Sequence, residues 1–171
     1  IAQAILQAHQ SGKTVLGICG GYQMLGRELH DPTHIESDLT QIPGLGILPL
    51  STTLEGEKIT RQVEFCFAND TTVCKGYEIH NGRTDFLSDI QTLNKLTDNT
   101  EDGCISANCI GTYIHGILDN KSFVDYLLKP YQNEKQQQTF DYFSFKEEQF
   151  NKLADHVRKH VDIELIYQLI S

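Results

Sequence analysis

The chain has 171 residues, 39% hydrophobic and 22% charged, which is the composition of a folded chain with one sizeable core and not of a disordered one. A net charge of −9, with no basic run and no interleaving of Arg or Lys with aromatics, argues against nucleic acid and anionic membranes as partners. No apolar window approaches the ~18 residues of a membrane-crossing helix, and no signal peptide is evident. Five cysteines, at 19, 66, 74, 104 and 109, are an odd number without a C-x-x-C pair. That pattern fits reduced thiols in a cytoplasmic protein better than a disulfide framework or a zinc knuckle.

Taken in order, Ile1, Ala4, Ile5 and Ala8 share one face of a helix over residues 1–10, which Ser11-Gly12-Lys13 ends with glycine at the left-handed cap position. Residues 14–18 are apolar on both faces, as a central parallel strand requires. The chain then turns sharply through Gly17-Ile18-Cys19-Gly20-Gly21 into a helix expected over 22–29. Strand, tight turn and helix form the grammar of a nucleophile elbow. Cysteine suits that place, because a helix N-terminus lowers a thiol pKa and the next amide, that of Gly20, is placed to receive an oxyanion. The plainer alternative is a buried structural cysteine, the commoner state of a free thiol.

Residues 30–40 read as a polar loop, and Pro43-Gly44-Leu45-Gly46 as a turn before a short extended piece to Leu50. Residues 59–68 alternate, with Ile59, Val63, Phe65 and Phe67 on one face. Residues 72–79 repeat the pattern with Val73, Tyr77 and Ile79, after a turn at Asn69-Asp70-Thr71. These form an antiparallel insert or edge. A polar stretch over 88–102 precedes a strand from about Cys104 to Tyr113, whose end carries His115. Asn120 caps a helix bearing Phe123, Val124, Leu127 and Leu128, which Pro130 stops. Residues 131–143 read as a polar linker, and Ser144 and Glu147 as a capping box opening a final helix over 144–170.

The elbow motif Gly17-Ile18-Cys19-Gly20-Gly21-Tyr22-Gln23-Met24-Leu25-Gly26 resembles that of class I, triad-type glutamine amidotransferases, and more narrowly the cobyric acid synthase group. Ile42–Pro49, Gly76-Tyr77-Glu78-Ile79-His80-Asn81-Gly82 and Gly111-Thr112-Tyr113-Ile114-His115-Gly116 resemble the same group in the same order, covering about Ile1 to Leu128. The resemblance implies an α/β, flavodoxin-like doubly wound sheet with antiparallel strands added and with further strands upstream of Ile1. The chain is then expected to be one amidotransferase domain, 1–171, at the carboxy-terminal end of a longer polypeptide.

It also implies Cys19 as nucleophile and His115 as catalytic base. Gly20, Gly21, Gln23, His80 and Arg83 fall around a glutamine pocket. Arg83 is either a bidentate partner for the substrate α-carboxylate or a solvated arginine. The triad glutamate expected two residues after the histidine is replaced by Ile117, as in a Cys-His dyad. Glu78 or Asp119 are the candidates to orient the imidazole.

The domain would hydrolyse glutamine and pass ammonia to a synthetase domain outside this chain. ATP and Mg belong there, and no cofactor or metal belongs to this one. His156 and His160 have i,i+4 spacing but no H-E-x-x-H pattern, and Gly44-x-Gly46 lacks the lysine of a phosphate loop. Four readings compete. The first is the glutaminase of a cobyric acid synthase. The second is that of a related cobyrinic acid a,c-diamide synthase or lipid II amidating enzyme. The third is a cysteine-dependent α/β hydrolase, which lacks an acid on its own strand. The fourth is an inactive interaction fragment.

Overall fold

A computed structural model describes residues 1–68, 70–131 and 141–170. The chain divides into two compact units, Ile1–Leu118 and Asp119–Ser171.

The first unit runs α1 (Ala2–Gln10), β1 (Val15–Ile18), α2 (Gly20–Leu25), β2 (Glu28–His30), β3 (Gln41–Pro43), β4 (Leu50–Phe67), β5 (Cys74–Phe86), β6 (Gln91–Leu96), β7 (Glu101–Ser106), β8 (Cys109–Thr112) and β9 (Ile114–His115). Its strands form one mixed sheet in the order β1-β8-β7-β6-β4-β2-β3, with β5 pairing both β4 and β9. β1 lies parallel to β8 and β2 to β4, and the other pairs are antiparallel. The long β4–β5 ribbon is the antiparallel addition expected from the alternation over 59–79.

The register of the parallel pair decides where the chemistry falls. Ile18 stands opposite Thr112, so β1 and β8 end together. Cys19 leaves one strand where Tyr113 leaves the other, at the carboxyl edge where α/β sheets place their sites. Beneath this edge lies a core of Tyr22, Leu25, Leu48, Leu50, Cys104, Cys109 and Tyr113. Cys104 and Cys109 are fully buried free thiols, and burial pushes them up to about 11 and about 12. They act as small apolar side chains.

Several expected elements have different bounds. The helix after the elbow stops at Leu25 and not at residue 29. Gly26 is extended, and the Arg27 amide donates to the Leu50 carbonyl at 2.8 Å, feeding β2 into the sheet beside β4. The polar stretch 88–102 contains β6 and the start of β7. The strand expected from Cys104 to Tyr113 is a hairpin, reversed at Ala107 (φ 51°) and Asn108, whose side chain donates to the His9 carbonyl at 3.0 Å. On β5 the faces are inverted. Cys74, Glu78, His80 and Gly82 are buried, while Val73, Tyr77 and Ile79 are exposed. The turn at Asn69-Asp70-Thr71 lies partly outside the described residues; within it the Asp70 carboxylate accepts from the Thr72 amide at 2.8 Å.

In the second unit Asn120 stands at the N-cap of α3 (Lys121–Leu128), although its side chain makes no capping bond to that helix. The linker expected over 131–143 lies mostly outside the described residues, and Tyr142 and Phe143 already belong to α4 (Tyr142–His160). The cap is Asp141 and not Ser144. Its carboxylate accepts from the Ser144 amide at 3.2 Å and the Ser144 hydroxyl at 2.7 Å. The single final helix is in fact two, because Val161 is extended and Asp162 caps α5 (Ile163–Ile170) through the Leu165 amide at 3.0 Å. Among the described residues no helix is long and apolar enough to cross a membrane.

Candidate active site

Cys19 has φ 54° and ψ −117°, a backbone state that L-residues rarely occupy and that is held by its surroundings. Its amide donates to the Thr112 carbonyl at 2.9 Å, and its carbonyl accepts from the Gln23 amide at 3.1 Å. The first bond ties the turn to the tip of β8, and the second starts α2. Gly17, two residues earlier on β1, is where the elbow is crowded. A Cβ there would lie 2.8 Å from the Gly21 carbonyl oxygen and inside the contact with Leu25. At Gly20 and Gly21 nothing stands within 4 Å of a would-be Cβ, so these glycines leave an open approach to the thiol.

The Cys19 thiol is half-buried and donates to the Ile79 carbonyl of β5 at 3.6 Å. Burial pushes its pKa above the ordinary thiol value. The Glu36 charge adds to this, while the Gly20 amide and Lys58 act against it. The expectation of a thiol activated by the helix N-terminus is therefore reversed. Desolvation outweighs the Gly20 amide at the start of the six-residue α2. A protonated thiol needs a base.

His115 stands opposite Tyr77 in the β5–β9 pairing, and the two rings stack at 5.0 Å with 9° between planes. Its Nε2 is buried with no hydrogen-bond partner. β9 comes this close because residue 76 is glycine; a Cβ there would lie 2.6 Å from the His115 carbonyl oxygen. The thiol thus rests on β5 at Ile79, and the imidazole on β5 at Tyr77. Those points are two residues apart, about 7 Å along a strand.

Ile117 is fully buried where a triad glutamate would stand. Glu78 projects to the opposite face of β5 from Tyr77, where it is ion-paired with Arg61, which also binds Asp98 at 2.9 Å. It does not reach the imidazole from that face. Asp119 belongs to the second unit, where its carboxylate pairs with Lys146 at 3.6 Å. The His115 ring plane is held instead by Tyr77.

The remaining pocket residues gather behind the elbow. Gln23 is buried and its Nε2 donates to the Tyr113 hydroxyl at 3.4 Å. The His80 ring stacks on Tyr113 at 3.7 Å, and its Nδ1 donates to the Gly82 carbonyl at 2.9 Å. His80, Gly82, Arg83 and Tyr113 line a cavity of about 310 Å³ that includes neither Cys19 nor His115. Arg83 already binds Glu55 at 2.7 Å and Asp85 at 2.9 Å, so its charge is matched without a ligand. Among the described residues no group of three or more His, Cys, Asp or Glu side chains is arranged to hold a metal. His160 Nδ1 faces the His156 carbonyl at 2.8 Å within α4.

Sequence reasoning missed Tyr77 as a partner of His115, and it left Asp102 at the end of a polar stretch. Asp102 is buried in β7, and its only local signal is Gly103, whose φ of 69° marks an irregular strand. The inward face of β5 was hidden because its residues are polar.

A cysteine on a strand–helix elbow, at the carboxyl end of a mixed sheet whose β9 carries a histidine three residues beyond the neighbouring parallel strand, is the arrangement of a class I-like glutamine amidotransferase domain. The chain belongs to the family described as the CobB/CobQ-like glutamine amidotransferase domain, which matches residues 1–123. It is 56% identical to the cobyric acid synthase of Bacteroides fragilis and 53% identical to that of Phocaeicola vulgatus, in each case over 100% of this chain and 35% of the relative. The chain therefore spans about a third of the length of these curated relatives. A solved glutamine amidotransferase shares the fold at a TM-score of 0.55 and 15% identity, over 75% of this chain and 67% of that one.

Proposed function

We propose that the chain is the glutaminase part of a cytoplasmic cobyric acid synthase. It would supply ammonia to an ATP- and Mg-dependent synthetase domain that amidates adenosylcobyrinic acid a,c-diamide in cobalamin biosynthesis. Relatives bearing that name support this acceptor over a cobyrinic acid diamide synthase or a lipid II amidating enzyme. The observation that supports the chemistry is the shared end of β1 and β8, which Cys19 follows directly and which His115 follows by three residues, on β9.

Glutamine enters between the thiol and the imidazole. His115 takes the Cys19 proton as sulfur attacks the side-chain amide carbon, and the Gly20 amide receives the oxyanion. The proton passes from His115 to the departing nitrogen, ammonia leaves, and a glutamyl thioester remains. His115 then removes a proton from water, which attacks the thioester. Glutamate departs, and the proton returns to sulfur. Gly21 keeps the approach open, while Gln23 and His80 brace the elbow from behind through Tyr113. Arg83 takes the α-carboxylate only by exchanging one of its present partners.

Cys19→Ala in the complete enzyme tests this directly. Glutamine-dependent amidation is expected to vanish while amidation with free ammonium continues. Surviving glutaminase activity would remove Cys19 from the mechanism.

A further inference from the structure

Beneath the candidate site lies a buried polar network that the reaction does not itself use. Asp102 is 7% exposed, in β7, among the sheet's interior strands. One carboxylate oxygen accepts from the Tyr113 amide at 2.9 Å. The other accepts from the Thr112 hydroxyl and from the Asn94 side-chain amide, the latter at 2.8 Å. The Thr112 hydroxyl in turn accepts from Asn94 and from the Ile114 amide, each at 3.0 Å. Every donor is therefore assigned. Asn94 uses both its N–H groups, and Thr112 has its proton committed to Asp102.

This network grips the three residues Thr112, Tyr113 and Ile114. The Thr112 carbonyl holds the Cys19 amide at 2.9 Å, and Ile114 immediately precedes His115. One buried carboxylate thus fixes the piece of backbone from which both nucleophile and base are hung. A carboxylate is costly to bury, and replacing a satisfied buried network by an apolar one is often neutral or better for stability. What it holds here is the geometry of the segment Thr112–Ile114. We infer that Asp102 is a positioning residue that sets the distance between Cys19 and His115 through Thr112 and Tyr113. This inference rests on the glutaminase reading given above.

The test uses the complete enzyme. Asp102→Asn keeps the shape but turns one acceptor into a donor facing the Thr112 hydroxyl, which then has no acceptor. The expected result is a fall of about 10²-fold in kcat for glutamine hydrolysis, the cost of roughly 1 Å of misplacement, with glutamine KM little changed. Ammonium-dependent amidation is expected to continue. Thr112→Val removes the hydroxyl at constant shape and is expected to lower kcat in the same way, and Thr112→Ser to recover most of that loss. If Asp102→Asn does not fold, the Thr112 pair decides alone. Unchanged kcat in the variants that fold overturns the inference. So does a loss shared equally by the ammonium reaction, which would mark a purely structural role. Cys19→Ala run alongside separates the two readings. If it retains glutaminase activity the glutaminase reading fails; if it is dead while Asp102→Asn is unaffected, only the positioning role fails.

Discussion

The thiol at residue 19 is held in a state opposite to the one its place in the sequence suggests. A cysteine opening a helix is expected to be acidic. Here desolvation wins, and the S–H group rests on the Ile79 carbonyl. A raised pKa means less thiolate at neutral pH, so unassisted alkylation of Cys19 by iodoacetamide is expected to titrate above a free cysteine. Peptide-resolved alkylation between pH 6 and 11 measures this, and a midpoint below that of free cysteine would contradict the burial argument. The residue types themselves were legible. Cysteine between small neighbours and histidine after a strand end name their chemistry by spacing. Asp102 was not legible, because a carboxylate before glycine reads as a surface turn unless the partners that satisfy it, Asn94 and Thr112, are known to meet it across the sheet.

At the scale of elements, the closeness of α2 to β1 makes the elbow what it is. Gly17→Ala is expected to destabilise the chain by about 1–3 kcal/mol, since the new methyl meets α2 backbone and the Leu25 side chain. Denaturant unfolding reads the stability change. A neutral substitution would show that α2 is free to lift from the strand. Local periodicity gave β4 because its apolar Val63, Phe65 and Phe67 face the core, and α1 and β1 because Ile5 and Val15, partly buried, pack against it. It inverted β5, where the buried side chains are Glu78 and His80 and the apolar Tyr77 and Ile79 stand on the site face. It also missed β6, in which Asn94 is 1% exposed and its side-chain N–H groups bond across the sheet to Asp102 and Thr112. Period-two reasoning equates inside with apolar, and a strand that lines a site breaks that equation. The hairpin at Ala107 was hidden for a different reason. Its left-handed residue is an alanine, so no glycine or proline announces the turn.

For the molecule as a whole, the mixed sheet and the order of its motifs were legible because long-range pairing follows from the family pattern. The partition at Leu118 and the break between α4 and α5 were not. The apolar spacing from Phe150 to Leu169 runs through Val161 without interruption, and only the cap at Asp162 divides it. The whole account depends on one covalent event at one sulfur. Cys19 and Cys66 are both half-buried, so chemistry and not accessibility has to distinguish them. Acid quenching of the complete enzyme during glutamine turnover, followed by peptide mass mapping, makes that distinction. A glutamyl adduct on the peptide carrying Cys19, and none on the Cys66 peptide, is the expected result. Steady turnover with no adduct on Cys19, or with the adduct on another cysteine, would contradict the mechanism at its root.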